Sequence, residues 1–324
     1  MTKTAVGPAL VALADVEAAA ERIAPVCLRT PLLPVGSDGE SQLWVKAESL
    51  QPTGAFKLRG ATNAVLSLEP AERARGVVTH SSGNHGQALA SAAAAAGIAC
   101  TVVMPEGASP VKVAATRRWG GDVVLVPARE RVSACADIAS RTGAVEVPPF
   151  DSAAVIAGQG TVGLEIVAEL PDVETVLVPV GGGGLISGIA VAVKASSPRT
   201  RVVGVEPELA GDLAEGFAAG RRMTWSDDLT WRTSADGLRG TAVGDLNWAH
   251  ITALVDDVVT VSESAIAAAM RHLMVQARLV AEASGAVATA AALEHPDARR
   301  WGRTVAVVSG GNVEPAVFAA VLRG

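Results

Sequence analysis

Val173-Glu174-Thr175-Val176-Leu177-Val178-Pro179-Val180-Gly181-Gly182-Gly183-Gly184-Leu185 is a β-branched run that stops in four consecutive glycines. A short, continuous apolar run before a glycine turn reads as a buried strand, here over 173–180, and the apolar residues 185–194 beyond it read as a helix. Strand, glycine turn, helix is the repeating unit of a parallel sheet covered by helices. The same rhythm extends toward the N-terminus, with strands expected at 77–79, 98–104, 123–126 and 144–147. Helices are expected between them at 88–96, at 132–141, and from Ser109-Pro110 to Gly120-Gly121. Toward the C-terminus, strands are expected at 201–205, 258–261 and 304–308, and helices at 161–169, 262–280, 286–293 and at the end of the chain. The polar stretch 221–244 reads as a long ordered loop. A helix over 15–23, stopping before Pro25, is expected to pack on the larger half. The fold class is α/β with two sheets.

Composition narrows the function. The chain has 324 residues, a length that suits about two domains. Its net charge of -6 (27 Lys+Arg, 33 Asp+Glu) gives it no electrostatic claim on nucleic acid or an anionic membrane. Hydrophobic residues make up 49% and aromatics only 3%, so the core must be built from Ala, Val, Leu and Ile. There is no Tyr, which excludes any mechanism that uses a tyrosine as acid, base or nucleophile. Cys27, Cys100 and Cys135 are odd in number and far apart, as expected of small buried hydrophobes rather than disulfides or zinc ligands. The N-terminus lacks the pattern of a signal peptide. No run reaches the ~18 residues of a membrane span, because glycines interrupt the nearest, 176–193. A soluble cytoplasmic protein is expected.

The chemistry is concentrated in four motifs. Glycine lets a backbone approach a ligand closely, and the amides of a helix start favour an anion. Two glycines suffice for a bare turn, so four at 181–184 point to a phosphate. The run alone does not choose the phosphate compound. Gly182, Gly184 and Gly188 form a loose dinucleotide pattern, with Glu206 at the end of the next strand where a ribose-binding acid would stand. The second motif is Thr53-Gly54-Ala55-Phe56-Lys57-Leu58-Arg59-Gly60. Five lysines stand against 22 arginines in the chain. A lysine near an arginine is ordinarily solvated, but behind Gly54 and Phe56 Lys57 is expected to be partly desolvated. A lowered pKa would suit it to Schiff-base chemistry. The third motif, Thr79-His80-Ser81-Ser82-Gly83-Asn84-His85-Gly86, is another strand-to-helix turn. N-capping accounts for its serines and a backbone-bonded, packed ring for His85. The fourth, Val307-Val308-Ser309-Gly310-Gly311-Asn312, is a third such turn. A nicotinamide enzyme would use one of these turns, whereas a phosphate-bearing cofactor held covalently by a lysine uses them all.

Taken jointly and in order with Val155-Ile156-Ala157-Gly158-Gln159-Gly160-Thr161, these motifs make the sequence resemble a known family. It is the threonine/serine dehydratase and serine racemase branch of the fold-type-II pyridoxal-phosphate (PLP) enzymes, the tryptophan-synthase-β-like group. The resemblance runs from about Val16 to the end. It implies two domains, each a twisted, mostly parallel sheet flanked by helices. Residues 1–49 and 151–324 would form a large PLP-binding domain, and 50–150 a small mobile one, with the active site in the cleft. It implies Lys57 as the catalytic Schiff-base lysine that also moves the Cα proton. Gly181, Gly182, Gly183, Gly184 and Leu185 would bind the phosphate, Asn84 the ring hydroxyl oxygen, Ser309 the pyridine nitrogen, and Phe56 would pack on the ring. Ser81, Ser82, Asn84 and His85 would grip the substrate carboxylate, with Ser82 as a second catalytic group facing Lys57 across the cofactor. Glu206, Ala210 and Asp212 match the family's divalent-cation site, suited to Mg²⁺ or Ca²⁺, which competes with the ribose reading of Glu206. A homodimer is implied as well.

Some positions depart from the pattern. Ala55 stands where Ser is common, and Glu282-Ala283-Ser284-Gly285 is an unusual version of a substrate-bordering segment. Arg239 has no assigned role. Pro149-Phe150-Asp151 resembles the dehydratase version of its loop. The chain ends soon after the catalytic unit, so no regulatory domain is expected. The implied reaction is β-elimination from a small L-β-hydroxy amino acid, such as L-threonine or L-serine, to a 2-oxo acid and ammonia. Serine racemisation and 3-hydroxyaspartate dehydration are the near alternatives. A nicotinamide oxidoreductase and a non-catalytic phosphate-ligand binder are the distant ones.

Overall fold

The structure, a computed structural model, describes residues 9–35, 42–81 and 83–323. Ten strands lie among them: β1 Leu32–Pro34, β2 Leu43–Lys46, β3 Val77–His80, β4 Cys100–Pro105, β5 Asp122–Val126, β6 Val145–Glu146, β7 Thr175–Pro179, β8 Arg201–Pro207, β9 Asp257–Val261 and β10 Thr304–Val307. They form a six-stranded sheet in the order β1-β2-β10-β7-β8-β9 and a four-stranded sheet in the order β5-β4-β3-β6. Every pairing is parallel except β1 with β2. The antiparallel strand sits at an edge and ends in Pro34, where a missing amide hydrogen costs no ladder bond. Every residue of β7 and of β10 is buried. Burial on both faces explains why these strands read as unbroken apolar runs rather than alternating ones.

Helices cover both sheets. Ala283–Glu294 contributes Ala286, Val287, Ala288, Ala290 and Ala291 to the same core cluster as Leu177, Val203 and Ala306 of the large sheet. On the small sheet, Ala88, Leu89, Ala92 and Ala93 of Asn84–Ala95 join Val77, Val102 and Met104. The N-terminal helix Leu13–Ile23 packs Val16 and Ala19 against Ile156, Ala157, Val191 and Ala192 on the larger half, as expected.

Three expectations are corrected. The helix expected at 161–169 spans Ala153–Glu169, because its glycines are packing devices and not breakers. A Cβ on Gly158 would lie 2.6 Å from the Gly60 Cα, and one on Gly160 would lie 2.8 Å from the Gly188 carbonyl oxygen. The helix expected at 262–280 ends at His272, passes through one π turn, Leu273–Ala277, and stops at Arg278, whose φ is +58°. The stretch 221–244 contains a short helix, Asp227–Thr230. There Arg239 donates to the Thr233 carbonyl and lies over the Trp231 ring, which places it. The strands β1 and β2 and the helix Lys57–Leu66 had no expected counterpart. The cysteines are free, and burial pushes their thiols up to about 11 (Cys27) and about 12 (Cys100 and Cys135), as inert packed groups.

Candidate active site

Lys57 opens the helix Lys57–Leu66. Two residues on, Arg59 anchors that helix. Its guanidinium donates to Glu48 at 2.7 Å from both Nε and Nη2, to Glu165 at 2.6 and 2.9 Å, and to the Leu28 carbonyl. Lys46 adds an ion pair with Glu165 at 2.7 Å. Burial alone would raise the Glu48 carboxyl, but Arg59 beside it holds it below its usual range. Removing one member of such a cluster leaves an uncompensated buried charge, which costs about 3–5 kcal/mol.

The loop before Lys57 is zipped onto the turn after β10. Phe56 N–H donates to the Ser309 carbonyl at 3.0 Å, and Gly311 N–H to the Gly54 carbonyl at 2.9 Å. Gly54 takes φ +76°, and a Cβ there would lie 2.3 Å from Asn312 Oδ1, so only glycine fits. The Lys57 amine donates to the Pro149 carbonyl at 2.6 Å and lies 5.1 Å from the Phe56 ring centroid. Burial, unopposed by any carboxylate, lowers it to about 8.

Asn84 heads the helix after β3 and is held on both sides. Its Oδ1 accepts from Asn312 Nδ2 at 2.9 Å, and its Nδ2 donates to Glu282 Oε1 at 2.6 Å. An amide nitrogen has two hydrogens, so Asn84 keeps one for a ligand. Burial pushes the Glu282 carboxyl up to about 7, with Asp236 adding to the rise. Ser309 is buried, its hydroxyl 3.5 Å from the Ser284 carbonyl. Ser81 is half-buried and its Oγ accepts from the Gly83 amide. His85 is buried with its Nε2 3.0 Å from the Val147 carbonyl, and burial lowers it to about 3, so it is a neutral, packed ring. Ser82 lies outside the described residues.

The glycine turn after β7 is built to leave amides open. The N–H groups of Gly181, Gly182 and Gly183 donate to no protein acceptor among the described residues. Gly184 and Leu185 begin the helix Gly184–Ser196, whose first amides have no intrahelical partner. Phe150 covers the turn so closely that a Cβ on Gly182 would lie 2.1 Å from its ring. Five adjacent amides at a helix start make an anion cradle. A desolvated amine, an amide with a spare hydrogen and a buried hydroxyl lie on the motifs gathered around it. This donor set, with amides for an anion, a lowered-pKa amine for a carbonyl and neutral hydrogen-bonding groups, fits a cofactor such as pyridoxal phosphate.

A second cluster stands at the C-terminal end of β8. Glu206 accepts from the amides of Leu213 (3.3 Å) and Ala214 (2.8 Å). Glu206, Ala210 and Asp212 are all buried, and burial together with Asp212 raises the Glu206 carboxyl well above its ordinary value. Among the described residues no three His, Cys, Asp or Glu side chains form a metal-binding group, so a cation here would depend on the Ala210 carbonyl and water.

Sequence reasoning missed Pro149 as the acceptor of the Lys57 amine, Asn247 as the holder of the glycine turn, and Glu282 as the partner of Asn84. Asn247 Nδ2 donates to the Gly182 carbonyl at 2.9 Å. Pro149 and Glu282 lie in segments that the resemblance singled out, but nothing in the sequence pointed to these partners, and Asn247 carried no signal beyond its residue type.

The fold and donor set define a lysine-anchored phosphate-cofactor enzyme, and comparison with known proteins agrees. The profile of the family described as pyridoxal-phosphate dependent enzyme matches residues 23–310. The chain belongs to that family. It is 41% identical over 314 residues to serine racemase of Oryza sativa subsp. indica, covering 94% of this chain and 91% of that protein. It is 42% identical over 311 residues to L-threonine ammonia-lyase of Thermotoga maritima, covering 94% and 76%. The solved structure of maize serine racemase superposes with a TM-score of 0.90 at 38% identity, covering 97% and 98% of the two chains.

Proposed function

We propose that the protein catalyses β-elimination from a small L-β-hydroxy amino acid such as L-threonine or L-serine, yielding a 2-oxo acid and ammonia. The observation that carries this is the Lys57 amine, lowered to about 8 and lacking any carboxylate partner, beside an open glycine cradle. When bound, pyridoxal phosphate supplies an aldehyde that condenses with amines and a ring that spreads the negative charge left at Cα. The amides of Gly181, Gly182, Gly183, Gly184 and Leu185 hold the phosphate. Ser309, a neutral hydroxyl, would partner the ring nitrogen, Asn84 would give its spare hydrogen to the ring oxygen, and Phe56 would pack beside the ring. Ser81, Asn84 and His85 lie on the turn that receives the substrate carboxylate.

Lys57 Nζ takes the Cα proton, because a neutral amine of lowered pKa is a competent base near neutral pH. The β-hydroxyl leaves as water, which balances on the proton that Lys57 took from Cα, and hydrolysis of the released enamine, after it tautomerises to an imine, gives the 2-oxo acid and ammonia. The test is Lys57→Ala, which should retain its fold yet make no 2-oxobutyrate from threonine and show no absorbance near roughly 410 nm, the band of a lysine-bound cofactor. Wild-type rates in that variant would sink the proposal.

The likeness to two plant serine racemases supports serine racemisation as a second activity of the same site. It requires a second base, for which Ser82 is the candidate. Chiral analysis of serine incubations separates the two, since Ser82→Ala should lose racemisation and keep elimination from the L-isomer. Dehydration of 3-hydroxyaspartate is the nearest substrate variant.

Glu206, Ala210 and Asp212 are proposed to take Mg²⁺ or Ca²⁺, because two buried carboxyls side by side call for a cation. Calorimetric titration should show binding in wild type, and binding retained in Asp212→Asn would refute it. Residues 50–150, which carry the whole four-stranded sheet, are proposed to move as a small domain against residues 1–49 and 151–324. No helix among the described residues is long and apolar enough to cross a membrane. A cytoplasmic homodimer is the proposed working form.

A further inference from the structure

Pro149, Phe150 and Asp151 touch three separate parts of the site. The Pro149 carbonyl receives the Lys57 amine at 2.6 Å. The Phe150 ring lies over Gly182, and its backbone and Cβ sit 3.1 Å from where a Cβ on Gly184 would be. The Asp151 carboxylate reaches the N-terminus of the helix Asp245–Leu254, where Oδ2 accepts from the Asp245 amide at 3.1 Å and Oδ1 from the Leu246 amide at 2.9 Å.

That helix has no cap of its own. Its N-cap residue is Gly244, which offers no side chain. Gly244 cannot gain one either, since a Cβ there would lie 2.5 Å from the Asp151 carboxyl carbon and 2.6 Å from Asn247 Nδ2. A remote carboxylate therefore supplies two acceptors where a Ser or Asp at the N-cap would supply one, and its charge suits the positive end of the helix dipole.

The capped turn faces the glycine cradle. The Gly244 amide donates to the Gly182 carbonyl at 3.1 Å, and Asn247 Nδ2 donates to the same oxygen at 2.9 Å. Asn247 is fully buried, and its backbone carbonyl lies 3.4 Å from the Ser187 hydroxyl on the cradle helix. A peptide unit is planar, so fixing the Gly182 carbonyl fixes the direction of the Gly183 N–H on its other side. Glycine itself imposes no such preference. Four consecutive glycines need an external hold, and the carbonyl of Gly182 is where it is applied.

We propose that Asp151 is a positioning residue for the cofactor phosphate. It caps the Asp245–Leu254 helix, the helix start grips the Gly182 carbonyl, and the grip aims the amides of the cradle. The inference deepens the assignment of residues 181–185 to the phosphate and rests on it. Because Asp151 shares its segment with the acceptor of the Lys57 amine, the two ends of the cofactor are held by one short strap.

The experiment compares PLP with pyridoxal, which lacks the phosphate. Holoenzyme is stripped of cofactor and re-titrated with each, followed by the absorbance of the lysine adduct and by tryptophan fluorescence. Asp151→Ala should weaken PLP about tenfold, the size of a lost helix cap, and leave pyridoxal within about twofold. Asp151→Asn and Asp151→Glu, which keep an acceptor long enough to reach the helix amides, should recover part of the loss. Asn247→Ala should show the same phosphate-selective loss, and adding Asp151→Ala to it should cost little more, because the two act in series. Asp151→Ala binding PLP as tightly as wild type would overturn the proposal. So would an equal loss of PLP and pyridoxal, or a failure of both capping variants to rescue. A wild type that binds PLP no tighter than pyridoxal would overturn the cradle assignment and the proposal together.

Discussion

Lys57 and Arg59 stand two residues apart on one helix, the first half-buried and the second buried, and their surroundings are opposites. Arg59 is saturated: two carboxylates, a hydroxyl and a carbonyl take its hydrogens, and its pKa is raised above an ordinary guanidinium despite burial. Lys57 has one neutral acceptor and is lowered to about 8. Counter-charge makes a buried cation structural, and its absence makes a buried amine reactive. The helix thus places a saturated cation and an unpaired amine within a single turn.

The contrast can be broken in steps. The largest effect is expected at Lys57→Ala. Loss of the nucleophile and base should cost at least about 10³-fold in kcat, with the thermal midpoint changed little. Arg59→Met should do the reverse and lower stability by about 3–5 kcal/mol, because Glu48 loses its guanidinium partner while Glu165 keeps Lys46. Adding Glu48→Gln should return part of that, and chemical denaturation of both variants checks it.

Next is the pH dependence of aldehyde capture. Only the neutral amine attacks a carbonyl, so the rate at which cofactor-free protein takes up pyridoxal should rise with pH to a midpoint near 8, well below that of an ordinary lysine. A stopped-flow series that still climbs without inflection at pH 10 would remove the distinction from Arg59.

The smallest effect concerns Glu282, a buried acid without a cation in contact. Its folded-state pKa of about 7 lies above the ordinary value of 4.5. Between those values the unfolded chain has released the proton while the native protein keeps it. Stability therefore falls as pH rises from about 4.5 to about 7. Glu282→Gln should flatten that slope in urea titrations run across the window, and an unchanged slope would move the burden elsewhere.

Much of the candidate site was legible in the linear sequence, because its parts are local. Residues 181–185, Lys57, Asn84 and Ser309 each sit in a short glycine-bearing motif at a strand end, and a strand end followed by a helix start projects its groups toward one crevice. What escaped is what other segments supply. Asp151 meets Asp245 and Leu246 across more than ninety residues, and Glu282 meets Asn84 across almost two hundred. No spacing rule connects such pairs. Gly158 and Gly160 misled for a related reason, since a glycine that breaks an isolated helix is, in a packed one, the place where a neighbouring backbone enters.

By itself the sequence determined the class of architecture, and it singled out Lys57 and the 181–185 turn as candidates. Periodicity, turn chemistry and helix-end amides are properties of neighbouring residues. Only the tertiary structure decided which carboxylates reach Arg59 and miss Lys57, and how four flexible glycines are held in one conformation. Both depend on which distant carboxylates and carbonyls reach the site. Charge compensation and backbone orientation act through space, and the order of residues along the chain does not contain them.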